Sequence, residues 1–148
     1  MKVLVDTSIW SLALRRSGAT SKGDQSLVHE LNELNELIGE VRVSLIGPIR
    51  QELLSGISNQ AQFDALKEKL QAFEDLPLTQ QDYERAAEFY NTCRKSGIEG
   101  SQVDLLICAV AVGMGIPIFT SDKDFLLYEK HLDITLYNPA RIIRHAEL

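Results

Sequence analysis

Apolar positions follow two different periods along the chain, and these periods predict strands and helices in alternation. Short apolar runs that contain β-branched residues predict strands at residues 2–5, 41–46, 76–78, 116–119 and 134–137. Apolar residues spaced three or four apart predict helices at about 9–16, 25–39, 47–56, 59–73, 79–95, 101–115 and 123–130. Small polar residues predict a loop at 17–24, and residues 138–148 form a short amphipathic tail. This alternation favours a three-layer α/β domain with a mostly parallel central sheet flanked by helices.

The most apolar stretch of the sequence, residues 102–124, has acidic residues at both ends. Asp104 lies at its start, and Asp122 and Asp124 lie at its end. An unpaired buried carboxylate costs several kcal/mol or more, so an aspartate in this context needs a partner. A bound cation is one such partner. Ser101 offers another explanation for Asp104, because the two residues resemble a capping box at a helix start.

Two further acids are expected at the same edge of the sheet. Asp6 directly follows the first predicted strand, and Glu52 lies near the start of a predicted helix, as Asp104 does. Open α/β sheets bind their ligands at the carboxyl ends of the strands. Four or five carboxylates at this edge would repel one another unless cations lay between them. Hard oxygen ligands favour Mg²⁺ or Mn²⁺ over zinc, and a pair of such ions suits the hydrolysis of a phosphodiester.

The composition limits the remaining classes of function. The 148 residues, 45% of them hydrophobic, are enough for one globular domain that spans residues 1–148. The net charge of −6 argues against a broad basic groove for nucleic acid, although a local patch at Arg15, Arg16 and Lys22 is compatible with phosphate contacts. Two cysteines make neither a disulfide framework nor a zinc site. The apolar runs are too short for a signal peptide or a membrane-spanning helix, which predicts a cytoplasmic protein.

The residues around the acids sharpen this hypothesis. The sequence contains four short motifs in order: Val-Asp6-Thr-Ser-Ile-Trp, Pro-Ile-Arg-Gln-Glu52-Leu-Leu, Val-Asp104-Leu-Leu-Ile-Cys-Ala and Phe-Thr-Ser-Asp122-Lys-Asp124-Phe. They resemble the motifs of PIN-domain ribonucleases, and most of all those of the VapC toxins of bacterial toxin–antitoxin pairs. The resemblance covers nearly the whole chain. It implies an Mg²⁺-dependent endoribonuclease that acts on RNA, forms a homodimer and is held inactive by a cognate VapB-type antitoxin.

The resemblance also assigns roles by position. Asp6 and Asp104 match metal-binding aspartates of the family, and Glu52 matches the glutamate of the second motif. Asp122 matches the fourth acid, and Asp124 is a neighbour that some family members use instead. These five acids are the expected metal ligands, and all except Asp124 are also expected to be catalytic.

Other residues of the motifs have roles that the sequence leaves less defined. Thr7 or Ser8 matches the family's hydroxyl that orders the first aspartate or its water. Trp10 is expected to pack in the core or in an interface rather than to stack on bases. Arg50 is a candidate to pair with an active-site acid or with RNA. The chain departs from the family in a longer segment between the first two motifs, residues 17–40, which leaves the acids intact.

Each acid also has a structural explanation when it is taken singly. Asp6 could cap the first helix, and Glu52 could be a solvated helix residue. Asp122 and Asp124 could belong to an ordinary turn. The rival function is a PIN-fold module that binds RNA or a protein partner without cleavage, and it is the four motifs in combination that favour the enzyme.

Overall fold

The protein is described by a computed structural model that covers residues 1–15 and 25–138. The predicted loop 17–24, the side chains of the predicted basic patch and the tail beyond Asn138 lie outside the described residues. None of the helices in the described ranges is both long and apolar enough to cross a membrane.

The centre of the fold is a parallel sheet whose middle strand carries the first motif. Strand β1 (Val3–Val5) lies between β2 (Val43–Ser44) and β3 (Ile118–Phe119), so the strand order is β2-β1-β3. All three residues of β1 are fully buried, as expected of a strand that helices cover on both faces. The sheet and its flanking helices confirm the predicted α/β class.

Helices make up most of the other described residues, and each begins within two residues of its predicted start. They are α1 (Thr7–Arg15), α2 (Gln25–Gly39), α3 (Gly47–Leu54), α4 (Gln60–Leu70), α5 (Gln80–Lys95), α6 (Gln102–Met114) and α7 (Asp124–Glu129). Local signals set these boundaries. Thr79 and Asp82 form a reciprocal capping box at the start of α5. Gly115 ends α6 in the left-handed conformation, with φ 66°.

The predicted strand at 76–78 is wrong. The chain forms only an isolated parallel bridge there, between Leu45 and Asp75. The N–H of Leu76 donates to the Leu45 carbonyl at 2.7 Å, but the facing chain enters α3 at Gly47 and so offers no further strand residue to continue the ladder.

Two other predicted strands are shorter than expected. Residues 134–137 form a single parallel bridge, between Ile118 and Leu136. Successive residues of a strand direct their backbone groups to opposite neighbours, so the two-residue β3 offers this segment only one pairing residue. The predicted strand 41–46 is reduced to β2, because Val41 adopts φ 55° in the turn that precedes it.

The core lies on both sides of β1 and includes the two most conspicuous apolar features of the sequence. Residues 105–111 of α6 are all buried, which confirms that the apolar stretch is a core helix. Trp10 is also buried, and its indole N–H donates to the Val5 carbonyl at 3.2 Å. Its ring packs edge-on against Phe73, with centroids 5.2 Å apart. Trp10 is therefore a packing residue, as predicted.

The guanidinium of Arg50 connects α3 to the segment that follows α4. It donates to the Asp75 carboxylate at 3.0 Å, to the Leu70 carbonyl at 2.9 Å and to the Phe73 carbonyl. The acid that Arg50 binds belongs to none of the four motifs, so the suggested pairing with an active-site acid is wrong. Arg50 is an anchor of the fold.

We expect Arg50→Lys to lower the free energy of unfolding by about 1–3 kcal/mol, because an ammonium group cannot reproduce the three directions of the guanidinium fork. Urea unfolding followed by circular dichroism measures this change. Arg94→Lys on the exposed side of α5 is the matched control and should change stability by less than about 0.5 kcal/mol. Equal effects of the two substitutions would contradict the anchoring role.

Candidate metal centre

Asp6 directly follows β1 and is nearly fully buried, with 4% of its surface exposed. Its Oδ2 accepts hydrogen bonds from the hydroxyls of Ser8 and Thr120, each at 2.8 Å. The backbone N–H of Ser8 also reaches Oδ2 at 3.4 Å, so Asp6 caps the start of α1 as well. The carboxylate is therefore fixed from two sides, by α1 and by the chain that follows β3.

The same two hydroxyls connect the first motif to the fourth. The Ser8 hydroxyl accepts a hydrogen bond from the backbone N–H of Ser121 at 3.0 Å. The Thr120 hydroxyl accepts one from the backbone N–H of Asp122, also at 3.0 Å. Asp6 and Asp122 are thus linked through a single side chain, and the positions of the two acids depend on each other.

Thr120 is the site residue that sequence reasoning missed. The residue belongs to the fourth motif, but the sequence analysis assigned no role to it. A usable signal existed: Thr120 is the first residue after β3, just as Asp6 is the first residue after β1, and the two strands are parallel neighbours. A hydroxyl placed there faces the buried acid at the same edge.

Three acids of the third and fourth motifs come together in a group that does not include Asp6, although the charge of Asp6 acts on Asp104. Asp104, Asp122 and Asp124 each offer a carboxylate oxygen, and these oxygens all lie within 4.8 Å of one another. We call these residues the three-acid cluster. The backbone N–H of Asp124 donates to Oδ1 of Asp122 at 2.9 Å, which forms the turn into α7. Asp122 and Asp124 therefore form the ordinary turn that was suggested as their structural explanation, and they also converge with Asp104.

Asp104 has two hydrogen-bonding arrangements, one for its backbone and one for its carboxylate. Its N–H donates to the hydroxyl of Ser101 at 3.0 Å and starts α6, which is one half of a capping box. Its Oδ2 accepts a hydrogen bond from the hydroxyl of Tyr128 at 2.8 Å.

The pKa of Asp104 is raised to about 6, chiefly by burial. Hydrogen bonds from Tyr128 and Ser101 lower the pKa, and the charges of Asp6 and Asp122 raise it.

Glu52 lies in the second turn of α3, which begins at residue 47 as predicted, and it lies outside the three-acid cluster. Its nearest side-chain partner is the hydroxyl of Thr7, which donates to Oε1 at 3.5 Å. Partial burial raises the pKa of Glu52, the charge of Asp6 raises it further, and the Thr7 hydrogen bond lowers it. Thr7 therefore faces Glu52, while Ser8 is the hydroxyl that orders Asp6.

The donor set suits a hard divalent cation. Within residues 1–15 and 25–138, the three-acid cluster is the one group of three or more His, Cys, Asp or Glu side chains close enough to share an ion. All of its ligand atoms are carboxylate oxygens, which favour Mg²⁺ and Mn²⁺ over softer metals. Its nearby charges also raise the pKa of Asp104, and a cation would relieve this repulsion.

The chain matches a known protein family and several solved structures. The family model of the PIN domain matches residues 3–130 of the chain. A comparison with curated proteins finds no match. Among solved structures, FitAcB from Neisseria gonorrhoeae is 23% identical, with a TM-score of 0.68 over 93% of this chain and 98% of that chain.

Two further solved structures show the same similarity. VapBC2 from Rickettsia felis, bound to a DNA fragment from its promoter, is 17% identical, with a TM-score of 0.70 over 93% of this chain and 98% of that chain. VapBC-5 from Mycobacterium tuberculosis, a member of the VapBC family of toxin–antitoxin systems, is 21% identical, with a TM-score of 0.64 over 93% and 99%. These similarities establish the fold. Because the family model spans most of the sequence, the chain belongs to the PIN-domain family.

Proposed function

We propose that the chain is a single PIN domain, residues 1–148, that cleaves RNA as an endoribonuclease dependent on Mg²⁺, with Mn²⁺ as a substitute. We further propose that it is the cytoplasmic toxin of a VapBC-type pair. The observation that carries the proposal is the three-acid cluster together with the buried Asp6, in a chain of the PIN-domain family.

The metal would be held by the three-acid cluster together with Asp6 and Glu52. A bound divalent cation supplies an activated water and neutralises charge on the phosphate that is attacked. The chain's own residues hold the ligands in place for this chemistry. Ser8 and Thr120 fix the Asp6 carboxylate, each at 2.8 Å, so that its orientation does not depend on the ion.

RNA has room to approach Glu52, although neither Asp6 nor the three-acid cluster lines the clefts at this residue. Two clefts of about 400 Å³ each meet at this residue. One includes Ser11 and Leu53 among its lining residues, and the other includes Pro48 and Val103. The net charge of −6 disfavours a polyanion, so productive binding of RNA should require the cation.

The proposed partners are a second copy of the chain and a VapB-type antitoxin. Support comes from the structural neighbours, of which VapBC-5 belongs to a family of toxin–antitoxin systems and FitAcB and VapBC2 share the fold over nearly the whole matched chain. We propose that the antitoxin suppresses cleavage in the cell and that the free toxin acts as a homodimer.

The first test is RNA cleavage by purified variants. Asp6→Asn and Asp104→Asn should each reduce the cleavage rate by about a hundredfold or more, because several kcal/mol of charge stabilisation depend on the metal that these residues hold. EDTA should abolish cleavage, and added Mg²⁺ or Mn²⁺ should restore it. Asp64→Asn on the exposed face of α4 is the control and should cleave normally.

Undiminished cleavage by both site variants would refute the assignment of these residues. An RNA complex that depends on the same acids but yields no cleavage product would instead favour the PIN-fold binding module.

A second test uses stability in the absence of metal. The pKa of Asp104 is raised to about 6 from an unfolded value of 3.8, so protonated Asp104 favours folding below pH 3.8, and this contribution is lost as the pH rises through 6. At pH 7.5 in EDTA, Asp104→Asn should therefore be more stable than the wild type, by about 1 kcal/mol after allowance for solvent screening. The difference should shrink below pH 4.

Saturating Mn²⁺ should reverse this order at pH 7.5, because the ion stabilises the folded wild type by mass action. Thermal unfolding in EDTA and in Mn²⁺ measures both effects. A wild type whose melting temperature does not respond to Mn²⁺ would contradict the proposed metal site.

A third test concerns the proposed toxin. Induced expression in a bacterial host should arrest growth, whereas Asp104→Asn at the same protein level should permit it. We expect a small reading frame directly upstream of the gene; co-expression of its product should restore growth, and the two proteins should purify together. Normal growth in the presence of intact, metal-loaded wild-type protein would contradict the toxin assignment but leave the nuclease assignment standing.

A further inference from the structure

Tyr128 joins α7 to the start of α6 through a buried hydrogen bond. Its side chain is 1% exposed, and its hydroxyl donates to Oδ2 of Asp104 at 2.8 Å. Asp124 is the first residue of the same helix, and residues four apart lie on one face of a helix. One short helix therefore presents both a member of the three-acid cluster and the donor that holds another member.

The packing around Tyr128 leaves its ring little freedom. The ring lies edge-on to the fully buried Phe125, with centroids 5.2 Å apart. A Cβ atom on Gly100 would lie 3.2 Å from Cε1 of Tyr128 and 2.1 Å from Cδ2 of Leu105. A side chain at position 100 would therefore clash chiefly with Leu105 and also press on the Tyr128 ring, so the ring is enclosed on this side.

The hydrogen bond determines what Asp104 can offer to an ion. The hydroxyl of Tyr128 is a buried donor in this bond. It engages Oδ2 of Asp104 and so restricts rotation of this carboxylate, which shares the three-acid cluster with Asp122 and Asp124. Carboxylates that bind metals are commonly held by such a second hydrogen bond, and its removal weakens metal binding.

We propose that Tyr128 is a positioning residue for the metal centre: its hydroxyl fixes the Asp104 carboxylate and sets α7 against α6, so that the three-acid cluster is formed before a divalent cation binds. This inference rests on the proposed function, because it concerns the affinity of the same site. No motif of the sequence analysis included Tyr128, which lies three residues beyond the end of the fourth motif.

The chain provides a matched control in Tyr137. Its hydroxyl donates to the carboxylate of Glu33, and its ring packs edge-on against Phe119, with centroids 5.3 Å apart. Tyr137→Phe removes the same chemical group from the same kind of bond, but outside the three-acid cluster. Phe125→Leu is the complementary control, because it loosens the packing of α7 and leaves the Tyr128 hydroxyl in place.

The experiment is calorimetric titration of Mn²⁺ into the wild type and the variants Tyr128→Phe, Tyr137→Phe and Phe125→Leu, with melting temperatures recorded in EDTA. We expect the Kd for Mn²⁺ to rise about tenfold in Tyr128→Phe and to stay within about twofold in Tyr137→Phe. Cleavage of RNA by Tyr128→Phe should recover at high Mn²⁺ concentration, whereas Asp104→Asn should stay inactive at every concentration.

Two results would overturn the inference alone. One is a wild-type Mn²⁺ site whose Kd is unchanged or lower in Tyr128→Phe. The other is a loss of affinity in Phe125→Leu equal to that in Tyr128→Phe at equal loss of melting temperature, which would assign the effect to the stability of α7. A wild type without any Asp104-dependent Mn²⁺ site would overturn the proposed function and this inference together.

Discussion

Asp6 and Thr120 are neighbours because β1 and β3 pair in parallel, with Val5 opposite Phe119. Each strand ends one residue before a polar side chain, so the buried carboxylate and its hydroxyl donor meet at 2.8 Å. A shift of one residue in this register would turn the hydroxyl away and leave a buried acid without that donor. The acidic edge depends on this register, and β1, which Asp6 directly follows, is completely buried.

The apolar character of α6 and the acid at its start are parts of one arrangement. Burial of residues 105–111 holds the helix in the core and brings Asp104 to the edge of the sheet. The same burial is the chief reason why the pKa of Asp104 is raised. The first turn of a helix favours a carboxylate, and Tyr128 and Ser101 donate to it, which offsets part of the cost.

Local patterns predicted the helices and the order of the acids, since helix caps and apolar periods are written in neighbouring residues. What they could not supply was contact between distant segments. The Thr120 hydroxyl acquires its role only through the register of two strands, and Tyr128 only through the docking of α7. Arg50 finds its partner in Asp75, 25 residues away and just before the predicted strand 76–78. In each case the contact joins segments that are distant in the sequence, so local patterns could not predict it.

The structural and functional explanations of the acids are not exclusive. Asp6 caps α1 weakly, and Asp122 accepts the N–H of Asp124 to form the turn into α7. Helix starts at the carboxyl ends of parallel strands all face the same edge, so residues that favour these positions are brought together by the topology itself. A local structural role for an aspartate therefore does not weigh against a functional role that it shares with the other acids. It explains how the backbone delivers each carboxylate, while the raised pKa of Asp104 reflects chiefly its burial and, to a lesser degree, the charges of Asp6 and Asp122.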